Sequence, residues 1–123
     1  MNQLIVASLA LILTAGSAAA HPQAAKACDL TVNFGSYAMG IDRPTFTKVE
    51  QLLARDRGVA RSDQQRWGRE GEVTICVDTK RRADTTRLYS RIRALFPRKP
   101  RGPLTVETAS GAKFQSPRSL PHG

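Results

Sequence analysis

Arginine is the residue type that gives this sequence its most specific chemistry. Five arginines lie in or just before the second of two predicted helices, and two of them, Arg87 and Arg91, are four positions apart, so they share one helix face. Like charges at this spacing repel mildly, whereas guanidinium groups bind phosphate or carboxylate through planar pairs of hydrogen bonds. The candidate anion-binding residues are therefore Arg81, Arg82, Arg87 and Arg91. A plain solvated face would carry the same pattern.

Histidine and carboxylate side chains, which perform most acid–base chemistry, are poorly placed for catalysis. The two histidines, His21 and His122, lie in segments predicted to be a flexible lead and a mobile tail. Neither is expected to act as a positioned base or as a metal ligand. We expect no catalytic residues, no metal and no cofactor, so a non-catalytic binding domain is the favoured interpretation.

Residues 1–20 are predicted to be a signal peptide. The apolar run from Leu4 to Ala15 is too short to span a bilayer, and Ala18 and Ala20 provide the small-residue pattern of a cleavage site. Cleavage after Ala20 would leave residues 21–123 without a transmembrane span. The expected location is the periplasm or the exterior of the cell.

The two cysteines, Cys28 and Cys76, both lie in the part of the chain that is predicted to be exported. An oxidising compartment and an even cysteine count favour one disulfide between them, and a pair of free thiols is the alternative. The loop-closure model gives such a bond a stabilisation of about 4 kcal/mol.

Hydrophobic periodicity predicts the elements that must position these residues. Alternation with period two indicates a first strand containing Leu30, Val32 and Phe34, and helical spacing indicates helices over 43–57 and 84–96. The other predicted strands are an edge strand at 59–67, a core strand at 72–79 and a short strand at 104–108.

The order strand, helix, strand, strand, helix, strand predicts an α+β fold of the ferredoxin-like βαββαβ type. Right-handed crossovers would give a four-stranded antiparallel sheet with two helices on one face. The predicted single domain spans residues 28–109. A flexible lead at 21–27 precedes it, and a mobile tail at 110–123 follows it.

Such a sheet leaves its second face open. Cys76 is out of phase with Val73, Ile75 and Val77, so it is expected on the open face, where a disulfide would hold the lead across or beside the sheet. The candidate residues of the open face and its rim are Thr31, Asn33, Thr74, Arg66, Trp67 and Arg69.

The segment Gly68-Arg69-Glu70-Gly71 has the GxxG pattern of KH domains, which bind a nucleic-acid backbone. In that family the loop joins two helices, whereas here it leads into a strand, so we interpret it as a hairpin turn. Few aromatic residues are available for stacking on bases, and the predicted export separates the chain from cytoplasmic nucleic acid. Nucleic acid is therefore not an expected partner.

The segment VNFGSYA, residues 32–38, resembles the first-strand signature of SPOR domains. Those domains are exported βαββαβ modules that bind peptidoglycan glycan. The resemblance is confined to this segment, and EVTICVDT lacks the glycine-containing strand end of that family. It implies that sugar would bind on the open face, at Thr31, Asn33 and Thr74.

The net charge of +9 falls entirely after residue 20, because residues 1–20 contain no Asp, Glu, Lys or Arg. A basic exported domain favours anionic partners. The first hypothesis is a domain that binds an anionic or carbohydrate polymer of the cell envelope. The alternatives are a protein-interaction or inhibitor module for an acidic exported protein, and SPOR-like binding of peptidoglycan glycan.

Overall fold

The computed structural model describes residues 27–118. The predicted signal peptide, residues 21–26 of the predicted lead, and both histidines lie outside the described residues. The elements in chain order are β1 (Leu30–Phe34), α1 (Arg43–Arg55), β2 (Val59–Trp67), β3 (Glu72–Thr79), α2 (Arg82–Leu95), β4 (Leu104–Thr108) and β5 (Lys113–Ser116).

The five strands form one antiparallel sheet in the order β2-β3-β1-β4-β5. β1 lies at its centre, where Val32 pairs with Ile75 on one side and with Val106 on the other. The predicted α+β class and antiparallel sheet are confirmed. The predicted four-stranded ferredoxin-like sheet is not matched, because β5 extends the sheet beyond β4.

β5 forms within the segment that the sequence predicted to be a mobile tail. A turn at Gly111, which has a φ of 105°, reverses the chain, and Thr108 N–H donates to the Ala112 carbonyl at 2.9 Å. Phe114 then lies 6.2 Å from the ring of Phe96, and the Arg93 guanidinium lies 4.3 Å above Phe114. One aromatic contact and a cation–π contact thus anchor a strand whose other residues are polar.

The hydrophobic core lies between the two helices and one face of the sheet. Alternate residues of β1, β3 and β4 point into it, as period two requires. Phe46 of α1 packs edge-on against Phe34 of β1, with 5.1 Å between ring centroids. The fully buried side chains of this core are Leu30, Val32, Phe34, Val49, Ile75, Val77, Leu88, Ile92, Leu104 and Val106.

The helix boundaries follow from local capping. Asp42 is the N-cap of α1, and its carboxylate accepts a hydrogen bond from Thr45 N–H at 3.1 Å. α1 ends at Arg55, two residues before the predicted end, because Asp56 is extended and its carboxylate accepts a hydrogen bond from Gly58 N–H. α2 begins at Arg82, two residues before its predicted start.

Candidate binding surfaces

The charge of the chain is concentrated in the segments that form and join the helices. We call residues 42–57 and 80–101 the helix layer. These segments hold 13 of the 19 Lys and Arg residues but only four of the ten carboxylates, a net charge of +9. The remainder of the chain has six basic and six acidic residues and is neutral. The helix layer therefore accounts for the whole net charge.

Three of the four carboxylates in the helix layer are buried. Asp42 caps α1 and also accepts a hydrogen bond from Arg101 N–H at 3.0 Å. The side chains of Asp56 and Asp84 are each 3% exposed. Glu50, which is half-buried, accepts a hydrogen bond from Gln64 at 2.8 Å. The ratio of basic to acidic side chains is therefore higher on the outer surface of the helix layer than in the helix layer as a whole.

Arg87 joins the two helices at a corner where α1 turns into β2. Its guanidinium donates to Asp84 at 2.6 Å and to Asp56 at 2.5 Å. Gly58 lies against this arrangement, since a Cβ at its position would be 2.5 Å from Arg87 Nη2 and 2.6 Å from the Asp84 carboxyl carbon. The corner therefore requires glycine for space.

Opposite charges set the ionisation of the corner. The hydrogen bond from Arg87 holds the pKa of Asp84 below its usual value. Burial alone would raise the pKa of Asp56, but the Gly58 N–H together with Arg87 and Arg91 keeps that pKa lowered. The pKa of Arg87 is raised by its hydrogen bonds to Asp84 and Asp56. All three groups therefore stay charged at neutral pH.

An open cleft of about 580 Å³ lies over this corner. Arg81 and Arg91 reach the buried carboxylates only at 3.5 Å, and their side chains are 78% and 57% exposed, so most of their donors face solvent. The cations that line the cleft without an ion pair to any residue in 27–118 are Arg55, Arg57 and Lys80. The cleft thus offers a partner several free guanidinium and ammonium groups.

The predicted anion-binding arginines have different environments. Arg81 and Arg91 line the cleft with much of their side chains exposed, and Arg82 is exposed in the first turn of α2. Arg87 uses two of its nitrogens in ion pairs with Asp56 and Asp84, which gives it a structural role at the corner. Anion binding by these four residues stays a prediction.

Sequence reasoning missed the part of the cleft that α1 contributes. Arg55 and Arg57 flank Asp56 at the end of α1, and Lys80 follows β3. Arg55 and Arg57 are 23 or more positions away from Lys80 in sequence. Only the packing of α1 beside α2 brings the three cations to one cleft. The available signal was Asp56 itself, a carboxylate between two arginines just before a glycine.

The open face of the sheet has an uncharged polar row at its centre. One row across all five strands contains only uncharged amide and hydroxyl side chains, namely Gln65, Thr74, Asn33, Thr105 and Gln115. Within it the Thr74 hydroxyl donates to the Asn33 side chain at 2.5 Å. The next row contains Thr31 beside Cys76. Thr31, Asn33 and Thr74 therefore lie together on the open face.

The disulfide lies on the open face. Cys28 is bonded to Cys76, with 5.4 Å between their Cα atoms, so the predicted pairing is confirmed. Just after Cys28 the chain bends, and the Asp29 carboxylate accepts a hydrogen bond from Thr79 N–H at 2.8 Å. These contacts fix where the chain enters β1.

The three predicted rim residues do not share one face. Trp67 pairs with Glu72 and lies on the open face, whereas Arg66 pairs with Val73 and lies on the opposite side of β2. Arg69 is in the turn between β2 and β3. The sequence placed all three at the rim because it could not fix the register of an edge strand that has no buried residue.

Comparisons with known proteins yield no relative. No protein-family model matches the chain, and no curated protein or solved structure is significantly similar to it.

The described residues also bear on metal binding and membrane spanning. Within residues 27–118, no group of three or more His, Cys, Asp or Glu side chains is arranged to hold a metal ion. Neither helix in this range has the length and apolar content that crossing a bilayer requires.

Proposed function

We propose that this chain is an exported, non-catalytic binding domain that holds an anionic polymer of the cell envelope against its helix layer. The observation that carries the proposal is the segregation of charge, because the helix layer has the whole net charge of +9 while the rest of the chain is neutral. Export rests on the predicted signal peptide at 1–20, and the Cys28–Cys76 disulfide is compatible with an oxidising compartment.

A polymer fits this surface better than a compact ligand. The cations extend along both helices and along the connector after α2, and the cleft at the Arg87 corner is open rather than enclosing. A chain of phosphate or carboxylate groups can contact many such cations at once. Each contact displaces a counterion, so the affinity is expected to fall steeply with salt.

The cleft at the corner is the proposed centre of the contact. Arg55, Arg57 and Lys80 have no ion pair among the described residues, so they can bind an anion without breaking a contact of the fold. Arg87 keeps its ion pairs with Asp56 and Asp84 and holds the two helices in position. This division separates the residues that bind from the residue that positions them.

The test is a salt-dependent titration of the purified, disulfide-bonded protein with two defined polyanions, sodium polyphosphate and polygalacturonate. The variant Arg55→Glu/Arg57→Glu reverses two charges at the cleft. Its matched control, Arg61→Glu/Lys113→Glu, reverses two exposed charges on the open face. We expect the cleft variant to bind about tenfold more weakly at low salt, and the control to lose much less. Equal losses in both variants would count against the helix layer.

The polar row on the open face favours a second candidate function, the binding of an uncharged glycan. Amide and hydroxyl groups of Asn33, Thr74 and Thr105 can exchange hydrogen bonds with sugar hydroxyls, and Trp67 lies on the same face. This is the surface that the SPOR resemblance implies. Binding to purified sacculi that persists in 0.5 M salt and is lost in Asn33→Ala/Thr105→Ala would support it over the helix layer.

An acidic exported protein is the remaining alternative, since it would also be attracted to the helix layer. A pull-down from envelope extract distinguishes it. Capture of one protein in a fixed ratio, lost in Arg55→Glu/Arg57→Glu, would favour an interaction or inhibitor module over a polymer-binding domain.

A further inference from the structure

Three loops meet at one end of the sheet. We call loop 35–41, turn 68–71 and connector 96–103 together the loop end. Gly35 N–H donates to the Pro103 carbonyl at 2.8 Å, and the Arg101 N–H that binds Asp42 ties the connector to the start of α1. A Cβ on Gly40 would lie 3.8 Å from the carbonyl oxygen of Glu70, so the first loop also approaches the turn.

The exposed large apolar side chains of the described residues all belong to this end. Met39 is 94% exposed and Tyr37 55% exposed, both in loop 35–41. Trp67 is 47% exposed and directly precedes the turn. The same chain buries 14 other apolar side chains in one core. Three large apolar groups left outside at one end therefore suggest a partner surface.

The backbone of the loop end holds these side chains outward. The Ser36 hydroxyl oxygen accepts hydrogen bonds from Ala38 N–H at 2.9 Å and from Gly40 N–H at 3.0 Å. Ala38 has a φ of 104°, a conformation that non-glycine residues rarely adopt and that needs support from its surroundings. In the turn, the buried Glu72 carboxylate accepts a hydrogen bond from Glu70 N–H at 2.8 Å. Both tips are therefore internally braced.

Exposed cations occur in the loop end and its flanking residues, together with the apolar side chains. Glu70 is the one exposed carboxylate of the loop end and its flanking residues, because Asp42 and Glu72 are buried. None of the basic residues there forms an ion pair with a carboxylate in residues 27–118. The exposed basic residues at this end are Arg43, Arg66, Arg69, Arg98, Lys99 and Arg101.

We propose that the loop end docks on an anionic lipid surface and places Tyr37, Met39 and Trp67 among the lipid headgroups. Trp and Tyr combine an apolar ring with a polar group and favour this interfacial layer. Cations beside inserted apolar side chains add attraction to anionic headgroups. The mixture of exposed apolar and cationic side chains on separate tips complements a lipid interface.

This inference shares cations with the helix layer, but it does not rest on the cleft at the Arg87 corner. A lipid surface would contact the loop end through apolar insertion as well as charge, whereas an envelope polymer would contact the cleft through charge alone. The two proposals therefore differ in whether Trp67 leaves water.

The chain supplies its own probe, because Trp67 is its one tryptophan. The protein is titrated with phosphatidylcholine vesicles, with and without phosphatidylglycerol, while tryptophan emission is recorded. We expect a shift to shorter wavelength with the anionic vesicles only, and quenching by lipids with brominated acyl chains. Met39→Ser should weaken partitioning by about tenfold, as expected for losing one apolar side chain from the interface, and Met39→Leu should retain it.

The remaining outcomes separate the two proposals. Vesicle binding without any shift of Trp67 emission would overturn the insertion and leave the helix layer as the contact. An equal shift with neutral vesicles would overturn the requirement for anionic lipid. A shift that grows with protein concentration in lipid-free buffer would assign the tips to a second copy of the chain and also overturn the proposal. Arg55→Glu/Arg57→Glu should keep the Trp67 shift while it weakens polyanion binding.

Discussion

The helix layer and the open face lie on opposite sides of one sheet, and they differ both in charge and in how they are held. The helix layer contains the whole net charge, and buried carboxylates around Arg87 fix its corner. The open face has a row of uncharged side chains and is tied by the Cys28–Cys76 disulfide. In this small domain, the face that holds the covalent bond carries few cations, Arg61 and Lys113, whereas the helix layer carries 13.

This difference shows that the charged residues of the helix layer have two separate tasks. Asp56, Asp84 and Arg87 neutralise one another and stabilise the fold, whereas Arg55 and Arg57 remain available to a partner. Composition alone does not distinguish the charged residues that stabilise the fold from those that are available to a partner. The two faces should therefore depend on different kinds of interaction.

The largest effect is expected on the open face. Replacing both cysteines, as Cys28→Ser/Cys76→Ser, removes a link between residues 48 positions apart. The loop-closure model gives a loss of about 4 kcal/mol in the free energy of unfolding. Denaturant unfolding of the variant and the parent measures it. A loss below about 1 kcal/mol would mean that the open face is held mainly by its strand pairing.

The second-largest loss of stability is expected in the helix layer. Asp84→Ala removes a buried partner of Arg87, and we expect a loss of about 2–3 kcal/mol, less than for a fully buried pair because Arg87 is 39% exposed. The matched control on the open face is Asp63→Ala, which breaks the exposed Arg61–Asp63 pair at 2.7 Å. That variant should lose no more than about 0.5 kcal/mol. Similar losses of unfolding free energy in both variants would contradict the expected difference between buried and exposed ion pairs.

Acid should weaken the helix layer selectively. Since the pKa values of Asp56 and Asp84 are lowered in the folded protein, their stabilisation is fully present above the ordinary aspartate pKa of 3.8. It is lost as the pH falls below that value and through the lowered folded-state pKa values. Thermal unfolding between pH 6 and pH 2 should show a decline that is shallower in Asp84→Asn. An identical decline of thermal stability in the variant and the parent would mean that the acid sensitivity does not come from Asp84.

The smallest effect is expected in the polar row of the open face. Thr74→Val keeps the shape of the side chain but removes the hydroxyl that donates to Asn33, so we expect a loss of about 1 kcal/mol. Chemical denaturation detects a change of this size. A neutral or stabilising result would indicate that the row is arranged for a ligand and contributes nothing to folding.

Local sequence patterns predicted most of the fold. Alternation in β1, β3 and β4, and the apolar spacing of Phe46, Val49 and Leu53 in α1, each report a surface that is buried on one side. β5 was not predicted because Phe114 is its single large apolar residue. The residues that contact Phe114, Arg93 and Phe96, lie in or next to α2. A strand with one anchor gives too weak a periodic signal.

The site was less predictable than the fold, because its contacts are not local. The arginines of α2 were visible as a charged run, but Asp56 and Arg87 are 31 positions apart and meet only after both helices pack on the sheet. Nothing in the sequence distinguished Arg87, which is bound to carboxylates, from Arg82, which is exposed. Burial of Asp84 within the first turn of α2 decides that difference.

The position of the disulfide also determines how the domain can be attached to something else. Because the sulfur atoms bond on the open face, the chain joins the domain at Cys28 on the side opposite the helix layer. A label or surface tether introduced just before this residue would face away from the helix layer. The domain could thus be immobilised through that point with its basic side directed toward solution, an orientation suited to capturing a polyanion.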